Sequence, residues 1–349
     1  MKAVVLTRYG DIQGLVYRDC PDPVPAPGEL LVRVHAVGLN FGDVLIRQGF
    51  HKDSPRPPAI HGMEVAGVVE AVPGDGGGFR PGDRVCAFLP GHGGFAEKAV
   101  CAPSLTQLLP EEFTFVEGAA FPVNFLTASL LLHAQARVAT GESILVRPGG
   151  GGVGLALLQL GLRAGARVFC VAGPAKHERL LALGAEACFA HTEDWEAAAR
   201  RAVGGDGFDI VFDSVGGAGL RKSYRLLAPF GRLGLFGASS FVAHRKFQFF
   251  KSLVNLLRFP VFWPLEMMNS SRAVFGLGLL RRPASDPRLR RALAESSRLW
   301  REGHLHPVID SVFPLAKIGE AQRRLEERRN FGKIVLSVDP SIPPSIPRS

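Results

Sequence analysis

The chain has 349 residues, a length that suggests two domains rather than one. Hydrophobic residues make up 46% of it and charged residues 21%, which is enough apolar material for a sizeable core and excludes disorder as the main state. The formal net charge is +9, and the 41 glycines show no three-residue period, which excludes a collagen-like chain. We therefore expect a globular protein of two domains.

Residues 1–120 are predicted to be rich in β-strands. Glu29–Ala36 alternates between apolar and polar side chains, and Glu64–Ala71 is a short apolar run. Both are bounded by glycine and proline, as strands usually are.

From about Asn124 the pattern changes to an apolar helix, Val123–Ala134, followed by strands that alternate with helices. The predicted strands are Ser143–Arg147, Ala166–Val171, Phe208–Phe212 and Arg232–Phe236; the predicted helices are Leu155–Ala164, Lys176–Leu183, Asp194–Ala202 and Ala218–Leu227. This alternation predicts an α/β fold with a doubly wound parallel sheet. An amphipathic helix over Phe313–Asn330, a strand over Asn330–Val338 and a disordered Pro/Ser tail at 340–349 complete the chain.

The cysteines indicate a reducing compartment. They are odd in number, scattered and without a C-x-x-C pair: Cys20, Cys86, Cys101, Cys170 and Cys188. The N-terminus lacks the pattern of a secretory signal, and the apolar stretch Leu253–Leu280 is interrupted by charges and prolines, so that it does not predict a spanning helix. We expect a cytoplasmic location.

A glycine-rich turn follows the predicted strand Ser143–Arg147 directly. Gly149, Gly151 and Gly154 satisfy the pattern G-x-G-x-x-G and open a helix. In this context the glycines allow a tight turn and a close approach of the backbone to a pyrophosphate, which the N-terminus of the helix attracts. The alternative is a surface loop that happens to be rich in glycine.

The end of the next predicted strand discriminates between cofactors. A site that binds the ribose 2′-hydroxyl of NAD carries Asp or Glu about 20 residues after the glycines. Residues 171–176 contain no carboxylate and end in Lys176. A missing acid and an added cation favour a 2′-phosphate, and hence NADPH. The alternative for Lys176 is a solvated residue in the first turn of a helix.

Several motifs in their order along the chain resemble a known family: residues 40–43 (NFGD), 62–67 (GMEVAG), 82–85 (GDRV), 127–128 (TA), the glycine turn and 332–336 (GKIVL). Over about residues 1–338 the chain resembles the zinc-independent quinone oxidoreductases (zeta-crystallin-like) of the medium-chain dehydrogenase/reductase superfamily. Residues 269–280 and 306–312 resemble the vesicle amine transport protein branch most closely.

The resemblance implies a GroES-like catalytic domain that is built from both ends of the chain, with a Rossmann domain inserted between them. We place the catalytic domain at 1–122 and 266–338, the Rossmann domain at 123–265 and the disordered tail at 339–349. The family also implies a homodimer formed through the edge of the Rossmann sheet.

No metal is expected. In zinc-dependent relatives a Cys and a His are ligands, and the matching positions here are Asn40 and Met63. The cysteine-rich lobe that holds structural zinc in those relatives is also missing. Three protein ligands are usual for catalytic zinc, and the histidines nearby have no ligand spacing.

The resemblance also implies roles for individual residues. Asn40, Asp43 and Thr127 are expected to line the cleft for nicotinamide and substrate. The pyrophosphate is expected on Gly149, Gly151, Gly152, Val153 and Gly154, the 2′-phosphate on Lys176, and the nicotinamide half along Phe236, Gly237, Ser239 and Asn330.

Structural alternatives exist for three of these assignments. Asp43 is also suited to cap a helix that starts at Val44, Thr127 to bond to its own helix backbone, and residues 236–240 to form a plain turn after a strand. Two departures from the family pattern concern tyrosines: one that often binds the 2′-phosphate aligns near Ala190, beside His191, and one in the substrate cleft corresponds to Leu45.

The sequence therefore predicts an NADPH-dependent reductase of quinones or other conjugated carbonyl compounds, with an enone or enoyl reductase as the alternative enzyme. A second class is a weakly catalytic protein of the membrane surface or of lipid handling. It is suggested by twelve Arg and Lys against three acidic residues between Arg245 and Arg301, a composition that suits a contact with anionic membrane through 241–301. The alternative for this segment is a solvated basic surface. No nucleic-acid partner is expected.

Overall fold

The computed structural model describes residues 1–52, 54–217, 219–241 and 260–345. The chain divides into two compact units. Unit 1 contains Met1–Leu126 and Leu279–Ser349, and unit 2 contains Thr127–Gly278. Unit 1 thus contains both ends of the chain.

Unit 1 is rich in β-structure and contains two sheets. Its strands are β1 (Lys2–Leu6), β2 (Leu15–Asp19), β3 (Leu30–Leu39), β4 (Ala59–Ile60), β5 (Glu64–Ala71), β6 (Arg84–Phe88), β7 (Lys98–Cys101), β8 (Thr106–Leu108), β15 (Ile309–Pro314) and β16 (Lys333–Ser337). The small sheet has the order β2-β1-β4; the large sheet has the order β15-β16-β3-β5-β6-β8, with β7 paired to β3.

The long strand β3 organises the large sheet. Its inward side chains, among them Val32 and Val34, belong to a buried apolar core with residues of β5 and β16. The strand was predicted to end at Ala36, but it continues to Leu39 because its last residues pair antiparallel with β16, where Leu39 lies opposite Ile334.

The α-helices in the described residues of unit 1 are α1 (Phe41–Arg47), α2 (Phe115–Ala120), the first part of α3 (Pro122–Ser129), α9 (Pro287–Arg301) and α10 (Ile318–Glu326). Trp300 of α9 stacks on Phe121 with ring centroids 4.5 Å apart and also contacts Phe113 at 4.3 Å. These ring contacts anchor α9, which the sequence analysis did not predict.

Unit 2 is a Rossmann domain with a six-stranded parallel sheet. Its strands are β9 (Ser143–Arg147), β10 (Arg167–Ala172), β11 (Ala187–Ala190), β12 (Phe208–Asp213), β13 (Leu227–Leu235) and β14 (Ala273–Gly276). The order β11-β10-β9-β12-β13-β14 is that of dinucleotide-binding domains, in which the chain reverses its direction of growth beside the first strand. The predicted fold class, a GroES-like β-rich domain with a Rossmann domain, is confirmed.

The helices of unit 2 pack around this sheet and are α4 (Gly152–Arg163), α5 (His177–Ala182), α6 (Trp195–Val203), α7 (Gly219–Arg225) and α8 (Pro264–Ser270). Helix α3 is continued by a π-helical segment, Leu130–Ala136. Together these two segments cover the predicted helix Val123–Ala134.

The boundaries between the units differ from those predicted. They fall after Leu126 and Gly278 rather than at 122 and 265, because α8 and β14 belong to the Rossmann domain: β14 pairs parallel with β13. The predicted helix Phe313–Asn330 is shorter, since Phe313 still pairs with Leu336 in the sheet.

The tail also differs from its prediction. The tail from residue 339 onward is predicted to be disordered. Its described part instead contacts the sheet, because Ser345 pairs with Val312 through two backbone hydrogen bonds of 2.7 and 3.1 Å. Residues 346–349 lie outside the described residues, as do residues 242–259 of the basic segment 241–301. Among the described residues, no helix has both the length and the apolar character needed to cross a membrane.

Candidate functional site

The glycine turn joins β9 to α4 at the carboxyl edge of the Rossmann sheet. A Cβ atom added to Gly149 would lie 2.6 Å from Cβ of Cys170, and one added to Gly154 would lie 2.4 Å from the carbonyl oxygen of Pro148. By contrast, no described residue lies within 4 Å of a Cβ placed on Gly151. Two glycines therefore allow close packing, while the third leaves open space beside the backbone.

The N-terminus of α4 is suited to bind an anion. The first amide to bond within the helix is that of Leu155, which donates to the Gly151 carbonyl at 2.9 Å. The N–H groups of Gly152, Val153 and Gly154 precede it, and they add to the partial positive charge of a twelve-residue helix. These are the residues expected to hold a pyrophosphate, and their geometry fits that group.

Two basic side chains follow the neighbouring strands β10 and β11. Lys176 ends a short 3₁₀ turn, Pro174–Lys176, just after β10, and it is half-buried. The exposed His191 follows β11, and a Cβ added to Gly173 would lie 3.8 Å from its Cε1 atom. Since β10 lies beside β9, this place suits the ribose end of a dinucleotide. In the sequence, His191 is marked only by its place beside Ala190, where the family often carries a tyrosine.

The loops after β12 and β13 are held against each other at the same edge. The Ser239 N–H donates to the Ser214 carbonyl at 3.0 Å, and a Cβ on Gly237 would lie 2.9 Å from Cβ of Ser214. The Phe236 N–H donates to the carbonyl of Asp213 at 3.3 Å. The structure thus places Phe236, Gly237 and Ser239 next to the loop after β12.

A buried carboxylate that the sequence analysis missed stabilises this edge. Asp213 accepts hydrogen bonds from the N–H groups of Val215 and Gly216 at 2.8 and 2.9 Å. Its other oxygen accepts from Arg147 Nη1 at 2.6 Å and from Ser223 Oγ at 2.7 Å. Asp213 therefore ties the end of β9 to the loop after β12, and its position at the end of an apolar strand was the available indication.

In unit 1, Asn40 and Asp43 lie together at the junction of β3 and α1. The Asp43 side chain is completely buried, and its Oδ2 accepts from the backbone N–H of Asn40 at 2.7 Å. The contact belongs to a capping box in which Asn40 is the N-cap residue and Asp43 lies in the first turn of α1. The alternative of Asp43 as the cap of a helix starting at Val44 is therefore wrong, because α1 already begins at Phe41. The contact fixes the backbone of Asn40, whose side chain is 9% exposed.

The Asn40 side chain belongs to a buried charged network. Its Nδ2 donates to Glu64 Oε1 at 2.8 Å, and its Oδ1 accepts from Lys333 Nζ at 2.6 Å. Lys333 and Glu64 also form a direct ion pair, and Glu64 Oε2 accepts from the Val123 N–H at 2.8 Å. Glu64 and Lys333 lie in two of the motifs that carry the family resemblance, but the resemblance assigns neither a role. A charge at the start of an apolar strand is the signal in the sequence that marks both residues.

Burial changes the protonation of two neighbouring side chains. Burial raises the pKa of Asp43 to about 7, opposed by the hydrogen bond from the Asn40 backbone and by the charge of Lys333. Burial lowers the pKa of His61 to about 3. Asp43 Oδ1 and both ring nitrogens of His61 are buried without a hydrogen-bond partner in the described part of the chain. Both groups are therefore favoured in their neutral forms near pH 6.

The remaining predicted residues occupy separate places. Thr127 is buried on α3 and is the first residue of unit 2, whereas Asn330 is buried in unit 1 and donates to the Gly332 carbonyl at 2.8 Å. Their roles beside a nicotinamide stay predictions.

The residues at the expected zinc position do not fit a zinc ion. Asn40 offers a neutral amide whose oxygen already accepts from Lys333, and Met63 offers a buried thioether. The nearby carboxylate of Glu64 is neutralised by the Lys333 ammonium. Zinc prefers thiolate, imidazole and carboxylate ligands, and the described residues contain no group of three His, Cys, Asp or Glu that could hold a metal ion.

Comparisons with known proteins match this architecture. Residues 26–111 match the alcohol dehydrogenase GroES-like domain, and residues 183–336 match the zinc-binding dehydrogenase family. A "Synaptic vesicle membrane protein VAT-1 homolog" of Mus musculus is 35% identical in a match that covers 97% of this chain and 84% of the relative. A quinone oxidoreductase of Sus scrofa is 30% identical over 341 residues, covering 96% of this chain and 97% of the relative.

One solved structure adds information on a ligand. A mycobacterial protein, solved as a complex with NADPH, superposes with a TM-score of 0.85 at 30% identity, covering 97% of this chain and 99% of its own. The chain belongs to the medium-chain dehydrogenase/reductase superfamily, a group of oxidoreductases. Within that superfamily it lies in the VAT-1 branch, as the motifs at 269–280 and 306–312 indicated.

Proposed function

We propose that the protein is a zinc-independent, NADPH-dependent reductase that transfers hydride to quinones or other conjugated carbonyl acceptors. The observation that supports it most is the carboxyl edge of the Rossmann sheet: Gly151 leaves open space before the N-terminus of α4, and Lys176 follows β10 with no carboxylate between. The quinone oxidoreductase relative and the NADPH complex of a similar structure support it further.

Different residues of the chain would bind different parts of the nucleotide. The N–H groups of Gly152, Val153 and Gly154 would donate to the pyrophosphate, and Lys176 would pair with the 2′-phosphate. His191 lies where it would add a second contact at that end. NADPH supplies the hydride, and the residues of this edge hold it in one orientation.

Asn40 would contact the acceptor oxygen. Its Nδ2 donates to Glu64 Oε1 at 2.8 Å and makes a longer contact of 3.4 Å with the Gly38 carbonyl, so that one of its two N–H groups is bonded strongly and the other only weakly. That second N–H is the one available to an oxygen that gains negative charge. Quinones suit such a site because the ring stabilises the reduced oxyanion without a Lewis acid.

The decisive experiment follows nicotinamide absorbance in a mixture of the protein, NADPH and a simple quinone. We expect quinone turnover and little oxidation of simple alcohols. Rapid alcohol oxidation, or tight NADPH binding with no reduction of any quinone, would contradict the proposal. Faster turnover of enones than of quinones would favour the enone or enoyl reductase.

Lys176→Ala should weaken NADPH binding roughly ten- to a hundredfold and leave NADH binding nearly unchanged. A charge-assisted contact with the 2′-phosphate is worth about 1.5–3 kcal/mol, and NADH has no such group. Fluorescence titration with both nucleotides measures this difference. Equal affinity of the wild-type protein for the two nucleotides would refute the choice of NADPH.

The location and assembly belong to the same proposal. All five cysteines are free, which supports a reducing, cytoplasmic environment. The last strand of the Rossmann sheet, β14, has partly exposed residues, which supports a homodimer formed through that edge.

A second candidate function is contact with an anionic membrane surface. Large apolar residues in and just before α8 are exposed: Val261 is 65% exposed, Trp263 65%, Leu265 72% and Met268 71%. In unit 1, α9 carries five arginines, and the VAT-1 relatives are named as synaptic vesicle membrane proteins. Such residues suit the boundary of an anionic bilayer.

Vesicles test this candidate directly. The wild-type protein should co-sediment with anionic vesicles at low salt, and the bound fraction should decrease as the salt concentration increases. Trp263→Ser combined with Leu265→Ser should abolish this co-sedimentation. No binding of the wild-type protein at low salt would exclude this function.

A further inference from the structure

The orientation of the Asn40 amide is set by charge. A lysine ammonium has only donors, so the atom facing Lys333 Nζ at 2.6 Å must be the amide oxygen. A carboxylate has only acceptors, so the atom facing Glu64 Oε1 at 2.8 Å must be the amide nitrogen. The amide therefore has one allowed orientation rather than two.

The fold holds this network from three adjacent strands. Lys333 begins β16 and Glu64 begins β5, and these strands flank β3, which ends one residue before Asn40. Glu64 is also fixed through its second oxygen by the Val123 N–H, and neither charged side chain is more than 3% exposed. The ion pair is thus a rigid frame around the amide.

We propose that Lys333 and Glu64 are positioning residues, which orient Asn40 so that its second N–H is presented to the acceptor oxygen. This inference rests on the proposed function. Without the pair the amide is free to rotate by half a turn, which would present its oxygen to an oxyanion and repel it. The pair thus determines which end of Asn40 meets the substrate.

The test replaces both charges together, because either single replacement would leave a buried charge without its partner. Glu64→Gln combined with Lys333→Met should lower kcat for quinone reduction about tenfold or more, with the NADPH Kd unchanged within about twofold. Lys333→Arg keeps a donor-only cation and should retain most of the activity. Arg232→Met, which breaks an ion pair with Glu142 in unit 2, is the control and should leave kcat within about twofold.

A coupling cycle separates positioning from a direct or structural role. Asn40→Ala alone should lower kcat by roughly one to three decades, as the loss of one oxyanion donor does. Added to Asn40→Ala, the double replacement should cost less than about twofold more, because there is no amide left to orient. A full further loss would overturn the inference.

A second measurement does not depend on turnover. In ¹H–¹⁵N spectra, the side-chain amide of Asn40 is identified as the resonance missing from Asn40→Ala. Its two protons should differ widely in chemical shift in the wild-type protein and in Lys333→Arg, and this difference should collapse in the double variant. An unmoved resonance would overturn the positioning role alone, whereas a protein that binds NADPH and reduces no acceptor would overturn the proposed function.

Discussion

Replacing Gly151 by alanine should weaken NADPH binding about a hundredfold or more while leaving the free energy of unfolding unchanged. The backbone of Gly151 has φ −88° and ψ 169°, which alanine adopts without strain, and no described residue lies within 4 Å of the added Cβ. The methyl group would instead occupy the space in which a pyrophosphate approaches α4. Loss of two charge-assisted hydrogen bonds, at about 1.5 kcal/mol each, gives this factor.

Two glycine variants control for this result. At Gly149 the added Cβ would meet Cys170, so Gly149→Ala should lower the free energy of unfolding by about 1–3 kcal/mol. Gly278→Ala, beyond β14 and equally open, should change neither stability nor NADPH binding. Denaturant unfolding and nucleotide fluorescence measure both quantities. Normal NADPH affinity in Gly151→Ala would show that no pyrophosphate approaches this turn.

The Rossmann unit could be predicted from the sequence because the patterns that specify its strands and helices are local in the sequence. The strand Ser143–Arg147 was predicted with its observed bounds, since a buried strand followed directly by glycines and a helix is specified within about 20 residues. The last strand β14 escaped prediction. It has four residues, and only its pairing with β13 defines it as a strand.

Unit 1 was less accessible to prediction because its buried charged network joins positions that are distant in the sequence. Asn40 was found by its place in a motif, but its partners Glu64 and Lys333 lie 24 and 293 residues away. Each charge stands at the start of an apolar strand, which marks the residue but does not by itself show that it is buried. Only the neighbouring positions of β5, β3 and β16 in the sheet bring the two charges together.

Asp43 should make a contribution to the free energy of unfolding that falls as the pH rises. Its pKa is about 7 in the folded protein against an ordinary value of 3.8, so the folded state retains a proton that the unfolded chain releases between about pH 4 and 7. This contribution is complete below about pH 4 and is lost as the pH rises through 7. One retained proton corresponds to a slope of about −1.4 kcal/mol per pH unit.

His61 acts in the opposite direction. Its pKa is about 3 in the folded protein against an ordinary 6.5, so between these values the unfolded chain binds the extra proton. The slope from His61 is therefore positive, about 1.4 kcal/mol per pH unit, up to about pH 6.5. Between about pH 4 and 6.5 the two slopes cancel, so neither contribution is visible in the pH dependence of the wild-type protein.

Single replacements of Asp43 and His61 should separate the two opposing contributions to the pH dependence of stability. Asp43→Asn removes the falling contribution, so its free energy of unfolding should rise relative to wild type by about 2 kcal/mol from pH 4.5 to pH 6. His61→Leu should fall relative to wild type by a similar amount, and the double variant should run parallel to wild type in this range. Denaturant unfolding at several pH values measures these differences, in which all other titrating groups cancel. If the free energy of unfolding of both single variants instead ran parallel to that of the wild type over this pH range, neither side chain would be held neutral in the folded protein. A side chain that is charged in both the folded and the unfolded state takes up or releases no proton on unfolding.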